Sequence, residues 1–594
     1  MLRSLWRLRG FILPYRVKLI SGIVAFGLAR FFEALVPFLT AVGINRMTDG
    51  NFDVADIVGG ITGAVICRYI VVTYARFAVR QVGLTVAFDL RQSLYASLQD
   101  QGAQFFSEHT IGDMMTRAVA DITLIQRLIS FGTILLVILV YATLFGFAFM
   151  LYFDPFLTLL ILPPMPIVFW YARHSWRQMG IASVQVQDRL SDLGAHVQEN
   201  LSGIRTIQAM VQEENEIKRF SLTNQQYADA FYEQGRINSA MSAWMPSLAA
   251  VCSITILGYG GYQVLHGHMP VGNFVAFFLY VNMVVQPFRV AGMIVNLFQR
   301  AAVASNRLHE VMDLEPEITD QPSGSTPPFI SGDISIKGLS YRYPKSETLV
   351  LDHIDLHVQP GETIAIMGRV GAGKSTLLKQ IVRLLNPEPG QIKIDQHDVL
   401  DYPLAQLRSQ VALVPQDPFL FGEPLRDNLT YDDPNRALDA IWDAAMSADL
   451  KNTIEEFPEQ LETLVGERGV TLSGGQKQRA TLARGLIRHA PVLLLDDCFS
   501  AVDTETEEHI LSELKRLRAR DTTMLVSHRV STARHADRII VLEEGSIIEE
   551  GTHQQLLNSG GYYAELERVQ REGAEEEDLA GARHTFSHTE KERG

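Results

Sequence analysis

Cysteine is scarce in this chain: Cys67, Cys252 and Cys498 are the three among 594 residues, far apart and odd in number. That excludes a disulfide framework and a thiolate metal cluster, and each is expected to be a small buried apolar residue. A surplus of positive charge is missing as well. The net charge is −15, so the concentrated basic surface that a phosphate backbone demands is lacking and nucleic acid is excluded as the default partner. Part of the acidity lies in a charged tail, 571–594, with Glu572 to Asp578 reading as solvated and disordered. Charged residues are only 20% of the chain against 47% hydrophobic, and 594 residues exceed what one core supports, so at least two domains are expected.

The apolar residues are concentrated in the first half. Six segments, roughly 19–43, 57–79, 128–152, 156–172, 243–265 and 271–298, each approach the ~20 residues that cross a bilayer as helix. Arg3, Arg7, Arg9, Arg16 and Lys18 precede the first without an acidic residue, whereas the first connector holds Asp49, Asp53 and Asp56 against Arg46. The positive-inside rule then places the N-terminus in the cytoplasm. A short apolar core with a small-residue cleavage site is not found, so the first segment is expected to remain as a true span.

With that orientation the outer loops are short: 44–56, Phe153-Asp154-Pro155 and His266 to Pro270. The inner connections, 80–127 and about 173–242, are long and rich in helix formers. The first has room for two helices of roughly 36 Å each. Arms that run so far into the cytoplasm and return are expected to carry coupling elements at their tips, and Gly112→Pro at the first tip is expected to disturb docking.

Residues 313–331 break both periodicities with Pro, Gly, Ser and Thr and read as a linker between a membrane domain, 1–312, and a second domain, 332–570. Beyond the linker, β-rich runs at Ile334–Leu339, Thr363–Met367, Val411–Val414, Val492–Leu495, Thr523–Val526 and Arg538–Leu542 alternate with helical patterns, the mark of an α/β domain. Gly368-Arg369-Val370-Gly371-Ala372-Gly373-Lys374-Ser375 satisfies G-x4-G-K-[ST] between an apolar strand and the helical run Ser375–Leu385. There the glycines let backbone N–H groups cradle phosphates at a helix N-terminus, Lys374 reaches the β- and γ-phosphates, and Ser375 ligates Mg²⁺.

Further motifs follow in a fixed order: Tyr343 in Tyr-Arg-Tyr-Pro, Gln416 in Val-Pro-Gln-Asp-Pro, Leu472-Ser473-Gly474-Gly475-Gln476, Leu493-Leu494-Leu495-Asp496-Asp497, Ser500-Ala501-Val502-Asp503 and His528 in Ser-His-Arg. This set resembles the nucleotide-binding domain of ABC transporters. Behind six spans it resembles a half-transporter of the ABC exporter class, over residues 1 to about 570. Phe105-Phe106 with Gly112-Asp113 is similar to the family's first coupling element, and Gly466-Glu467-Arg468-Gly469 to its cross-talk loop. The fold implied is multidomain: an all-α six-helix transmembrane domain followed by an α/β P-loop NTPase domain of ABC type.

The resemblance also implies roles. Tyr343 stacks on adenine, the loop from Gly368 through Ser375 to Thr376 holds the phosphates of ATP, and Ser375, Gln416 and Asp496 serve Mg²⁺. Gln416 senses the attacking water as well, and His528 contacts the γ-phosphate. Ser473, Gly474, Gly475 and Gln476 close over nucleotide bound by a second half-transporter, so dimerisation is required for chemistry. It implies further a lipid bilayer setting, a multi-pass protein of the bacterial inner membrane with its nucleotide-binding domain in the cytoplasm, and hydrophobic or amphipathic cargo such as drugs or lipids. A channel or a membrane-tethered regulator on the same architecture are the alternatives.

Asp497 departs from the family pattern, which carries Glu there. Shortening the side chain retracts the carboxylate by about 1 Å, and a misplacement of that size costs around a hundredfold in rate. The expectation is a weakened site in a heterodimer, with an intact signature completing the partner's site; a homodimer using Asp497 as base is the alternative. Within the spans, Arg30 and Glu33 share a helical face and Arg68 lies inside the second segment. They are expected to form an internal salt bridge or a polar spot in the transport cavity, joined by Asn282, Gln286 and Asn296 near Pro287.

Overall fold

The computed structural model describes residues 2–50, 54–320, 329–344, 346–466 and 472–572. The chain divides into two compact units, one of Met1–Asp100 with Glu108–Glu315 and one of Gln101–Ser107 with Pro316–Gly594.

The first unit is helical. Its principal helices are α1 (Arg16–Thr48), α2 (Val54–Gln99), α4 (Ile111–Phe153), α5 (Pro155–Ile161), α6 (Pro164–Ser202), α7 (Ile204–Ala209), α8 (Glu213–Thr255) and α9 (Val271–Met312), while α3 (Ala103–Glu108) falls in the second unit up to Ser107. Among the described residues three helices are long and apolar enough to cross a membrane, Arg9–Thr48, Val54–Gln99 and Ile111–Phe153, with shorter apolar stretches at Ala250–Leu265 and Val271–Pro287. Long apolar side chains are exposed on α1 at Val17, Ile20, Val24, Leu28 and Phe31, an apolar stripe along one face of the helix. Cys252 is buried as expected, but Cys67 is exposed on the apolar α2.

The fourth apolar segment is not one helix. It breaks after Ile161 at Leu162–Pro163 and restarts at Pro164, because prolines at 163, 164 and 166 remove backbone donors that a continuous helix needs. The C-terminal end of α1 and the N-terminal end of α9 are tied by Asn45, whose amide donates to Asn273 Oδ1 at 3.0 Å and whose Oδ1 accepts from Gly272 N at 2.8 Å. Toward the other end, Arg307 on α9 bridges Asp113 and Asp121 on α4, and Arg117 answers with Asp113 and Glu310. This ionic cluster fastens the first part of α4 to the last helix of the unit.

In the second unit a six-stranded sheet has the order β10-β9-β3-β8-β7-β6 and a four-stranded antiparallel sheet the order β2-β1-β4-β5. The strands are β1 (Ile334–Tyr341), β2 (Leu351–Val358), β3 (Thr363–Gly368), β4 (Ile392–Ile394), β5 (His397–Asp398), β6 (Val411–Val414), β7 (Val492–Asp496), β8 (Thr522–Val526), β9 (Arg538–Glu543) and β10 (Ser546–Gly551). Strands β9, β3, β8, β7 and β6 run parallel, and β3, β7 and β8 are buried almost throughout, as a sheet covered on both faces requires. The carboxyl ends of β3, β7 and β8 therefore lie side by side, and loops leaving them converge.

Candidate nucleotide site

Strand β3 ends at Gly368, where φ is +138° and a Cβ would stand 2.1 Å from the Leu542 carbonyl oxygen. The loop turns through Arg369, the fully exposed Val370, Gly371 and Ala372 to Gly373, at φ +98° and equally closed to a Cβ by Val350 O at 2.6 Å. Both positions admit only glycine, and helix α10 (Lys374–Ile381) starts immediately after. The helix is shorter than the sequence pattern Ser375–Leu385 suggests, since Arg383 takes φ +50°. Lys374 is buried, and its ammonium donates to Gly368 O and Arg369 O at 2.8 Å each. Burial pulls its pKa down, while Asp497 and Asp496 pull it back up.

Ser375 Oγ donates to Asp496 Oδ1 at 2.7 Å, which joins the first turn of α10 to the end of β7. Asp496 is buried, and desolvation raises its pKa against the opposing pull of Ser375, Lys379 and Lys374. A hydroxyl and a carboxylate oxygen held this close are hard oxygen donors of the kind Mg²⁺ prefers, so the residues fit that ion. Asp497 follows at φ +46°, a left-handed backbone that Asp tolerates better than most residues. Its amide donates to Val526 O at 3.1 Å, and its Oδ2 accepts from Gln416 Nε2 at 3.1 Å. Desolvation raises the Asp497 pKa, with His528 and Gln416 opposing. His528 itself is held toward its neutral form by burial and by Lys374. Tyr343 OH lies 3.2 Å from Thr376 Oγ1, so the expected adenine-stacking residue stands beside the same loop.

Ser473, Gly474, Gly475 and Gln476 sit elsewhere. Ser473 caps α11 (Gly474–Leu486): its Oγ accepts from Gln476 N at 3.3 Å while Gln476 Oε1 accepts from Ser473 N at 2.9 Å. This capping box leaves Ser473 and Gly474 exposed at the positive end of a 13-residue helix. Among the described residues no hydrogen bond or ion pair joins the signature to the loop at 368–376 or to Asp496 and Asp497. Of Gly466 to Gly469, residues 467–469 lie outside the described residues, as does the tail from 573.

Two positioning residues escape a sequence reading. Gln478, buried on α11, donates to Ser500 Oγ and accepts from Ala501 N, both at 2.8 Å. Arg529 reaches Val502 O at 3.1 Å and Glu507 Oε2 at 2.5 Å. Together they fix the Ser500–Asp503 turn between the signature helix and β8. The available signal was a polar Gln two residues past Gln476 on the apolar side of a helical pattern.

The fold and this loop define a P-loop ATPase of the cassette type fused to a helical membrane domain. Residues 17–288 match the ABC transporter transmembrane region and residues 351–500 the ABC transporter family. An uncharacterized ABC transporter ATP-binding protein of Bacillus subtilis, YknU, is 31% identical over 95% of this chain and 97% of its own length. The ATP-dependent lipid A-core flippase of Syntrophus aciditrophicus is 34% identical over 82% of this chain and 81% of its own length. The structure of a bacterial Atm1-family ABC exporter with ATP bound superposes with a TM-score of 0.75 over 95% of this chain and 98% of that one, at 24% identity. The chain belongs to the ABC transporters, as a half-transporter that carries its membrane region and its ATPase in one polypeptide and couples ATP hydrolysis to transport.

Proposed function

We propose that this chain is one subunit of a heterodimeric exporter of hydrophobic or amphipathic compounds, in a bacterial plasma membrane, with its N-terminus and ATPase domain in the cytoplasm. The observation that carries the reading is the pairing of a shortened carboxylate, Asp497, with an intact, correctly capped signature at Ser473. Lys374 and the glycine loop bind the phosphates, Tyr343 takes the base, and Ser375, Asp496 and Gln416 hold Mg²⁺, which when bound neutralises phosphate charge. Asp497 receives the proton of the attacking water, and because its carboxylate falls short it does so slowly. Ser473 and Gly475, at a helix N-terminus, are suited to an anion supplied from outside the chain, here the γ-phosphate at the partner's faster site.

The coupling arms support active transport over a regulator. The first tip, Gln101–Ser107, belongs to the same compact unit as the ATPase domain. The second tip, α7, exposes Ile204 with Leu201, Met210 and Val211 beside it, an apolar surface suited to a second subunit. Cargo of lipid type is in keeping with the relative named as a lipid A-core flippase. The test is ATP-dependent accumulation of a lipophilic dye in inverted vesicles holding this chain with a half-transporter that has Glu after its Walker B strand. Accumulation by the pair and little by either chain alone is expected; equal accumulation by this chain alone overturns the heterodimer, and ion currents without accumulation overturn the exporter.

A further inference from the structure

The backbone around His528 is held by a side chain 42 positions further along the chain. Strand β8 ends at Val526, and a four-residue helix, Val530–Ala533, starts after Arg529. A helix start leaves N–H groups without intrahelical acceptors, and Arg529, at the cap position, supplies none from its side chain. Gln570 supplies one instead. Its Oε1 accepts from Val530 N at 2.9 Å, while its Nε2 donates to His528 O at 2.7 Å. The two bonds fix which way the amide points, because the N–H requires the oxygen and the carbonyl requires the nitrogen. One planar amide thus spans Arg529 and grips the peptide groups on either side of it.

The peptide unit that follows His528 is held at its other end too, since Arg529 N donates to Ser527 Oγ at 3.0 Å. The His528 ring, in contrast, has no hydrogen-bond partner among the described residues; Lys374 and Asp497 act on it through their charges alone. Its direction is therefore set by the backbone that carries it. Gln570 stands on a helix over 562–572 that is already anchored without it. Tyr563 is buried in the apolar cluster that holds Val530 and Ala533, Leu566 packs against that cluster, and Tyr563 OH lies 2.7 Å from His553 Nδ1. Steps of three and seven residues from Tyr563 put Leu566 and Gln570 on the same helical face. A tether for this helix needs no amide at 570, and fixing so free a side chain costs on the order of 1.5 kcal/mol.

We propose that Gln570 is a positioning residue for ATP hydrolysis, an amide clamp that fixes the peptide planes beside His528 and so aims its imidazole at the γ-phosphate. It acts through the backbone of His528 and not on the nucleotide. This rests on the reading of His528 as the γ-phosphate contact of this chain's own nucleotide site.

The test is single-turnover hydrolysis of γ-labelled ATP by excess full-length protein in nanodiscs, with affinity for a fluorescent ADP analogue measured alongside. Gln570→Leu, of similar size, leaves His528 O and Val530 N without the clamp and is expected to slow hydrolysis about tenfold, within what a small misplacement of an active group costs. ADP affinity should stay unchanged, since ADP lacks the phosphate that His528 meets; general damage to the fold would lower both. Gln570→Glu keeps the acceptor for Val530 N but loses the donor for His528 O, and should slow hydrolysis in the same way. His528→Ala is the reference: it is expected to be slower still, and adding Gln570→Leu to it should change nothing more, because a clamp with no imidazole to aim has no effect. Wild-type hydrolysis in folded Gln570→Leu overturns the proposal; where that variant does not fold, wild-type hydrolysis in Gln570→Glu does so, as does a further loss in the double variant. A slow His528→Ala beside an unaffected Gln570→Leu removes the clamp alone, whereas wild-type hydrolysis in His528→Ala removes the γ-phosphate contact and the clamp with it.

Discussion

Gln416 Nε2 and Asp497 Oδ2 are 3.1 Å apart, so the residue that would orient the attacking water already holds the carboxylate that would accept its proton. The contact pins a side chain that leaves the backbone at φ +46°. A longer side chain at 497 would carry its carboxylate further out from the same anchor, which is the geometric basis for expecting a slow site.

Nucleotide binding is expected to depend on Lys374. Its ammonium is the buried cation of the loop and is parked on two carbonyl oxygens, Gly368 O and Arg369 O, from which it is free to turn to phosphate oxygens. Lys374→Ala is expected to weaken binding of a fluorescent ATP analogue by about a hundredfold, two charge-assisted bonds' worth. Unchanged affinity by equilibrium titration contradicts the assignment.

Asp497 gives a pH signature. Desolvation holds its carboxyl above the ordinary carboxylate value, with His528 and Gln416 only partly offsetting it. A carboxyl raised on folding favours the native state when protonated and penalises it when ionised, so Asp497→Asn is expected to raise the melting temperature at pH 7, by a few degrees at most. The gain should shrink as pH falls through the raised folded value and vanish below about 3.9, the unfolded carboxyl's own. A melting series from pH 4 to 8 that shows no such convergence removes the claim that the ionised carboxylate is penalised.

Coupling is expected to run through α3. Phe105 is buried and Phe106 half-exposed on a six-residue helix that belongs with the ATPase unit, so Phe105→Ala should cut transport several-fold while leaving ATP-analogue affinity intact. Gly112→Pro, which looks disruptive in the sequence, should be benign. Gly112 is the second residue of its helix, after the Thr110 cap, where a missing N–H costs nothing. Paired transport and binding assays on both variants check this.

The five parallel strands, β3, β6, β7, β8 and β9, were legible almost to the residue, because burial on both faces leaves little else that they could be; β1 of the antiparallel sheet was legible from its apolar alternation. Strands β2, β4, β5 and β10 were not: Leu351-Asp-His-Ile-Asp-Leu-His-Val hides its apolar period among charges, and the others are short or polar. The nucleotide loop was legible because its spacing is dictated by phosphate geometry. Gln478 and Arg529 were not, since their work is to hold other residues through contacts between distant parts of the chain. The break at Leu162–Pro163 was written in three prolines and masked by the hydrophobicity around them.

Ser473 caps its helix, and in the proposed dimer it would also serve the partner's site. Ser473→Ala removes the cap, worth about 1 kcal/mol, and with it the hydroxyl expected to act there. ATPase of the pair is expected to fall much further than that loss explains, while Ser473→Asp, which keeps the cap but adds negative charge, should fall as far or further. Recovery in Ser473→Asp would show that capping alone was at stake.

Steady-state ATPase of this chain alone, of the co-purified pair, and of Asp497→Glu in each background tests the central claim most directly. The account predicts slow turnover by the chain alone, a sharp rise with a partner that carries Glu, and partial restoration of the weak site by Asp497→Glu. Brisk turnover by the chain alone, unchanged by Asp497→Glu and abolished by Asp497→Ala, would contradict it and make Asp497 a competent base in a homodimer.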